Sequence, residues 1–562
     1  MKENIISLFS RIQTAYQKIE KLLASMKFAV VIILLFSIAL TYGTFMESYH
    51  GREFANRLVY KSFWFMGIQG LMFLSILLAT LVRLPAKKRL YGFYTIHAGL
   101  ILLFIGSFIT YINGIDGIVE LRPSEPTNKI QLEEDVLAIR TTSGKIIRKI
   151  LPYNAFPVNL DQNIEGFELK EYLPSSELIT KWVPFKEGKD QHSSEYFLYN
   201  ENVSDQFMLS LASLSDFKST KKLGPLNVNY MPALLYNCFK KQSDTEFILW
   251  NVVQSSCVNI DSKTHLVGKT EQDNPFFVYK WNNKDLKFFP NVSPLPINDD
   301  LTKNMNTPLR VFSKDIFKDK PNLFLFGKSL AYYSARKKLW VGKEFADLNS
   351  EIKLPWMNFK IKLLQHRNDA YPSQIPAYTR PIQSKSEIIK GDLKAIKVSV
   401  FGVDHWVRND QPLKLSDGTR SIEMMIIKNE KRLPYQFTLE KFKMDTNPGT
   451  NDPASYESFV TLLDGRKSQG DNLNNKPHHI YMNNPLKYDE FTFYQSSYFQ
   501  LGPDTYGSAL SVNYDPGRFL KYFGSFLIVF GSIWHFYIRR RKQKKTIVNK
   551  TNNVHLQGEV NA

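Results

Sequence analysis

One histidine inside a membrane-length apolar run is the residue of this chain best placed to do chemistry. It is His97, within YGFYTIHAGLILLFIGSFITYINGIDG, residues 91–117. An ionisable side chain in hydrocarbon is costly, so it marks a functional site by default. Neutral imidazole is a common ligand for metals and haem iron. It also hydrogen-bonds neighbouring helix carbonyls and hydroxyls, and residue type alone leaves both uses open. His97 stands six residues beyond Tyr91, about 9 Å into a helix that rises 1.5 Å per residue.

The glycines around it constrain which way it faces. Gly92, Gly99 and Gly106 recur every seven residues, as do Gly517, Gly524 and Gly531 in the last apolar run. Seven residues drift only ~20° on a 3.6-residue helix, so each set forms one narrow seam for close helix packing. The two runs are expected to pack along these seams. His97 then lies ~200° around from Gly99, facing away, while His535 lies ~40° from Gly531, at the interface. His50, in MESYHGRE, reads as a solvated loop side chain or as a contact for a ligand or partner. His405 and the pair His478-His479 fall in the polar part of the chain. Adjacent residues of a strand point to opposite faces, so that pair is not expected to chelate one metal. No role is assigned to these four.

Other catalytic patterns are absent. The sequence has no phosphate-cradling glycine loop, HExxH, GxSxG, CxxC zinc spacing or CxxCH, and no carboxylate pair that spacing alone makes catalytic. Its two cysteines, Cys238 and Cys257, allow one disulfide or two separate buried thiols.

Four apolar runs must position His97: Lys27–Phe45, Phe63–Val82, Tyr91–Ile112 and Phe519–Ile538. Each is long enough to cross ~30 Å of hydrocarbon. Basic residues set the expected orientation. Arg83, Lys87, Lys88 and Arg89 link the second and third runs, and Arg539 to Lys545 follow the fourth. Under the positive-inside rule both clusters are cytoplasmic, which leaves the long polar segment outside. The expected fold is an integral membrane protein with four transmembrane α-helices and a large, mainly β extracytoplasmic domain between helices three and four. Its parts are an amphipathic cytoplasmic lead (1–26), helices one to three (27–112), the β domain (113–518), helix four (519–538) and a basic cytoplasmic tail (539–562).

The formal net charge of +19 does not point to nucleic acid, because much of it sits beside the membrane and no aromatic-plus-basic motif accompanies it. Membrane lipid is the expected partner of those clusters. Within the polar segment, Ala395–Val403, Ile422–Ile427 and Phe491–Tyr498 alternate with period two, and turn signals separate them, predicting antiparallel strands. The Asn- and Lys-rich middle, about 180–390, has weak periodicity.

These features resemble the ResB (CcsB) family of system II cytochrome c biogenesis. The resemblance rests on SMKFAVVIILLFSIALTYGTF, VYKSFWF, VRLP, GFYTIHAGLILLFIGSFIT and GIDGIVEL near the start. It rests also on DTNPGTNDPASYESFV, MNNPLKYDEFTFYQSSY and YDPGRFLKYFGSFLIVFGSIWHFYIRRR towards the end. It implies a bacterial inner-membrane protein with its large domain in the periplasm. Together with a ResC/CcsA-like partner, it would move haem b, held transiently, across the membrane and support its attachment to the CxxCH of apocytochrome c. In that family the partner carries the Trp-rich haem-handling segment. Here the eight tryptophans are scattered, so the partner is expected to be a separate chain and to carry the ligation site. His97 matches the family's transmembrane histidine, which the resemblance makes a haem axial ligand. Two other readings compete: a b-type cytochrome passing electrons across the membrane, and a scaffold without haem that docks apocytochrome. The YQSSY and DPG segments are expected to brace the β domain on the membrane.

Overall fold

The computed structural model describes residues 13, 17–184, 192–240, 247–251, 256–260, 266–269, 275–289, 295–297, 307–313, 321–337, 339–383, 389–416, 420–449, 453–466, 476–503 and 505–538. Most of the predicted amphipathic lead, and the basic tail from 539 onward, lie outside these residues.

Four helices are long and apolar enough to cross a membrane: Met26–His50, Phe63–Leu81, Tyr91–Asn113 and Arg518–Tyr537. We refer to them as spans one to four. Local chemistry starts and stops them. The Ser25 hydroxyl accepts from the Phe28 amide at 3.2 Å, and Ser62 accepts from Phe65 at 3.4 Å, each satisfying an amide that the first helical turn leaves unpaired. Span one stops at Gly51, whose φ of 83° is in the left-handed region open to glycine. Span one therefore reaches His50, which the sequence places in a loop.

The chain forms two compact units. The first comprises residues 1–177 and 376–562, and holds the four spans and a ten-stranded antiparallel sheet. At the middle of that sheet, Ile115–Leu121 pairs with Thr127–Thr141 on one side and Thr505–Tyr514 on the other. Ser421–Thr446 lies beyond Thr127–Thr141. The pairing of these two long strands shifts register between Gln131 and Asp135, a bulge that bends the ribbon and serves two cores. On one side of the bulge Leu433, Tyr435, Phe437 and Leu439 pack with Val119, Leu121 and Phe493. On the other, Leu137, Ile139, Ile422, Met424 and Ile426 pack against Leu169, Tyr172, Ile396 and Val398. These last four come from a second sheet in which Phe167–Pro184 pairs with Leu393–Val400.

The second unit, residues 178–375, is also β-structured, where weak periodicity predicted nothing. One sheet joins Glu351–Lys353, Lys360–Arg367, Ser193–Tyr199 and Ser204–Ser210; another carries five strands. Their facing apolar residues share one core, including Tyr196, Leu198, Val228, Leu325 and Ile361. Cys238 and Cys257 are bonded to each other, so of the two open possibilities the disulfide is the one observed.

Candidate functional site

His97 lies on span three, which follows a short helical turn, Lys88–Leu90, and leads after Asn113 into the strand Ile115–Leu121. The imidazole Nδ1 sits 3.0 Å from the Phe93 carbonyl oxygen. A carbonyl only accepts, so Nδ1 carries a proton in this geometry, and in the neutral ring Nε2 keeps its lone pair. This is the tautomer of a histidine ready to ligate a metal through Nε2, its other nitrogen fixed by a backbone acceptor. The ring lies against Phe93 at 3.8 Å between centroids, and the Arg83 guanidinium covers Phe93 at 5.1 Å.

The glycine seams meet. Strand register brings spans three and four together: Ile115 pairs with Tyr514 and Leu121 with Ser508, so the two helices leave the sheet as neighbours. Gly92, Gly99 and Gly106 are the buried residues of span three, and Gly524 and Gly531 are buried on span four. A Cβ on Gly106 would lie 2.9 Å from the Gly517 carbonyl oxygen. One on Gly92 would lie 2.7 Å from Cβ of His535, which makes His535 a seam residue. Asp515, of the DPG segment, ties the junction: it accepts from the Thr110 hydroxyl at 2.5 Å and pairs with Lys521 at 2.6 Å.

A charged cluster gathers residues that the sequence analysis did not single out. Between spans one and two the chain forms a short helix, Arg52–Ala55, and a wider turn, Asn56–Tyr60. Glu53 and Arg57 lie one turn apart and are joined at 2.6 Å. They enter a buried cluster with Asp135, Lys394, Lys428 and Tyr172. Arg57 hydrogen-bonds Asp135, and Lys394 reaches Glu53 at 2.7 Å and Asp135 at 3.1 Å. Lys428 reaches Asp135 at 3.0 Å, and the Tyr172 hydroxyl donates to it at 3.0 Å. Burial alone would raise the Asp135 carboxyl, but Lys394, Lys428 and Arg57 outweigh it and hold it at about 2. Glu53 is held down in the same way. Burial lowers Lys394 in turn, whereas Glu53 and Asp135 overcome burial at Lys428 and raise it. Beside the cluster, Glu133 accepts from Lys61 at 2.8 Å and from the Tyr153 hydroxyl at 3.1 Å. Two carboxylates and three cations thus pin the connector between spans one and two to the sheet.

The other histidines have structural surroundings. Nδ1 of His50 stands 2.6 Å from the Pro381 carbonyl oxygen, and the side chain is half-buried, so it is not a solvated loop residue. His479 stacks on Phe459 at 4.4 Å and meets Glu457 at 2.9 Å. Among the described residues no three His, Cys, Asp or Glu side chains gather as a metal-binding group.

Four membrane-length helices, two of them continuous with paired strands of a large antiparallel domain, define a membrane protein with a large β domain. Residues 403–507 match the ResB-like family, so the resemblance drawn from the motifs is borne out over this stretch. The matched segment holds Ser421–Thr446, Pro453–Leu463 and Phe491–Gly502, three strands of the ten-stranded sheet. The chain is also similar to Protein NrfI of Wolinella succinogenes, at 36% identity over 103 residues. That stretch is 18% of this chain and 10% of the relative.

Proposed function

We propose that this chain is a membrane subunit of a system II cytochrome c biogenesis complex. Haem b is its cargo: His97 binds the iron within the bilayer, and the chain supports haem transfer to the CxxCH cysteines of apocytochrome c. A ResC/CcsA-like membrane protein is the partner and supplies the ligation site.

The observation that carries this reading is the geometry of His97. Its Nδ1–H is committed to the Phe93 carbonyl, its Nε2 is left as the donor atom, and the glycines of its own helix that pack on span four lie on another face. The ResB-like segment supports the same conclusion. The basic clusters support a cytoplasmic link between spans two and three and, with it, a periplasmic β domain on a bacterial inner membrane; the disulfide Cys238–Cys257 suits that oxidising compartment.

The test is co-purification with the ResC-like partner, comparing wild type with His97→Ala by visible spectra and covalent haem stain. Loss of haem and of c-type cytochrome, partly restored by imidazole, is the expected result. Unchanged haem and full cytochrome c would make His97 a packing residue and the chain a scaffold.

A further inference from the structure

Phe73 of span two and Phe104 of span three meet at 5.9 Å between ring centroids. They line a cavity of about 1300 Å³ between the two spans, above the ~300–1,000 Å³ of most small-ligand pockets. Its walls are apolar and aromatic, with Phe63, Phe73, Phe104, Phe108 and Tyr111. Span two keeps a glycine on this wall, Gly70, where an added Cβ would touch nothing within 4 Å. The space is therefore real at side-chain scale and is not the gap of a tight helix crossing.

The rim is polar and lies where the helices give way to strands. It presents Lys61, Lys521, Glu133, Glu134 and Asp116. Lys61 is paired with Glu133 at 2.8 Å and Lys521 with Asp515 at 2.6 Å. Each ammonium has three donors, so both can also bond a phosphate. The other two carboxylates are bonded by neutral amides: Asn513 donates to Asp116 at 2.8 Å, and Asn429 to Glu134 at 2.8 Å. Among the described residues neither has an ion pair, so their charge is not neutralised.

We infer that this cavity holds an aminophospholipid. The acyl chains occupy the aromatic wedge, the phosphate bonds Lys61 and Lys521, and the primary ammonium sits between Asp116 and Glu134. An anionic headgroup without an amine would satisfy the lysines but leave both carboxylates uncompensated, so the rim selects an amine-bearing head. This site is separate from His97, and its readout does not depend on haem.

The experiment uses the full chain, delipidated in detergent and titrated with phosphatidylethanolamine, phosphatidylglycerol or haemin under native mass spectrometry. Wild type should retain phosphatidylethanolamine at least tenfold better than phosphatidylglycerol. Gly70→Phe, which fills the wedge, should abolish both adducts. Asp116→Asn with Glu134→Gln should bring the two lipids to near parity while retaining them. If Gly70→Phe does not fold, judged by gel filtration and far-ultraviolet dichroism, Ser107→Leu fills the same cavity from span three. Equal retention of the two lipids by wild type, an adduct unaffected by both filling variants, or displacement of the lipid by haemin would each overturn the assignment.

Discussion

Gly99 and Gly524 face each other across spans three and four, and a Cβ on either would stand 2.6 Å from the other's carbonyl oxygen. Backbones that close leave room for glycine alone, and in lipid such close packing is what holds helices together. The contrast within the same bundle is Gly70, beside an open cavity.

Enlarging the seam should therefore separate the spans. Gly99→Leu or Gly524→Leu is expected to cost about 1–3 kcal/mol, the usual penalty of overpacking, and to lower the thermal midpoint in detergent. Gly70→Ala should be neutral or slightly stabilising, because the helix gains up to ~1 kcal/mol of propensity and nothing is crowded.

Removing one charge from the buried cluster should be more damaging than removing its members together. Asp135→Asn leaves Arg57 and Lys394 buried with one carboxylate fewer, and breaking such a pair typically costs about 3–5 kcal/mol. The readout is protease resistance of the β domain as denaturant is raised. Combining Asp135→Leu with Lys394→Met should recover part of that loss, since well-packed apolar groups replace buried ion pairs at little cost.

The same cluster sets an acid limit. The Asp135 carboxyl is at about 2 when folded, against an ordinary value of 3.8. A carboxyl lowered by folding contributes stability that is complete above the ordinary value and is lost as pH falls through the folded one. The contribution is about 2 kcal/mol, disappearing between roughly pH 4 and pH 2. Asp135→Asn should flatten the stability profile over that interval, as followed by dichroism.

The disulfide should stabilise the second unit independently of the membrane part. Cys238 and Cys257 are 19 positions apart, and closing a loop of this order contributes about 3 kcal/mol in the chain-entropy view. Replacing both with serine should lower the unfolding midpoint of that unit and leave the thermal midpoint of the four-helix part unchanged.

The spans were legible because apolar length is a strong signal, and the glycine period gave the face on which spans three and four meet. The strands Leu393–Val400 and Phe491–Gly502 were legible from alternation. The charged cluster was not, since its members come from five separated places in the chain. A signal was nevertheless present. Lys394 continues the inward phase of Ile396, Val398 and Val400; Asp135 continues that of Leu137 and Ile139; Lys428 continues that of Ile422, Met424 and Ile426. Charged residues in the core phase of a strand are rare unless paired, and three such positions at one end of a shared core indicate mutual partners. The middle unit escaped because its strands are short and carry apolar residues on both faces: Phe197 and Tyr199 alternate with the buried Tyr196 and Leu198, and Asn322–Leu325 is buried at every position, so no two-residue period shows.

The pairing of Ile115 with Tyr514 also sets an order of events during synthesis. The strand that follows span three leaves the ribosome roughly four hundred residues before its neighbour, about 20–80 s at 5–20 residues per second. Through that interval its hydrogen-bonding edge is open and vulnerable to mispairing. The second unit, wholly encoded within the delay, can finish folding first. The ten-stranded sheet and the contact between spans three and four are completed only after Thr505–Tyr514 and span four have emerged.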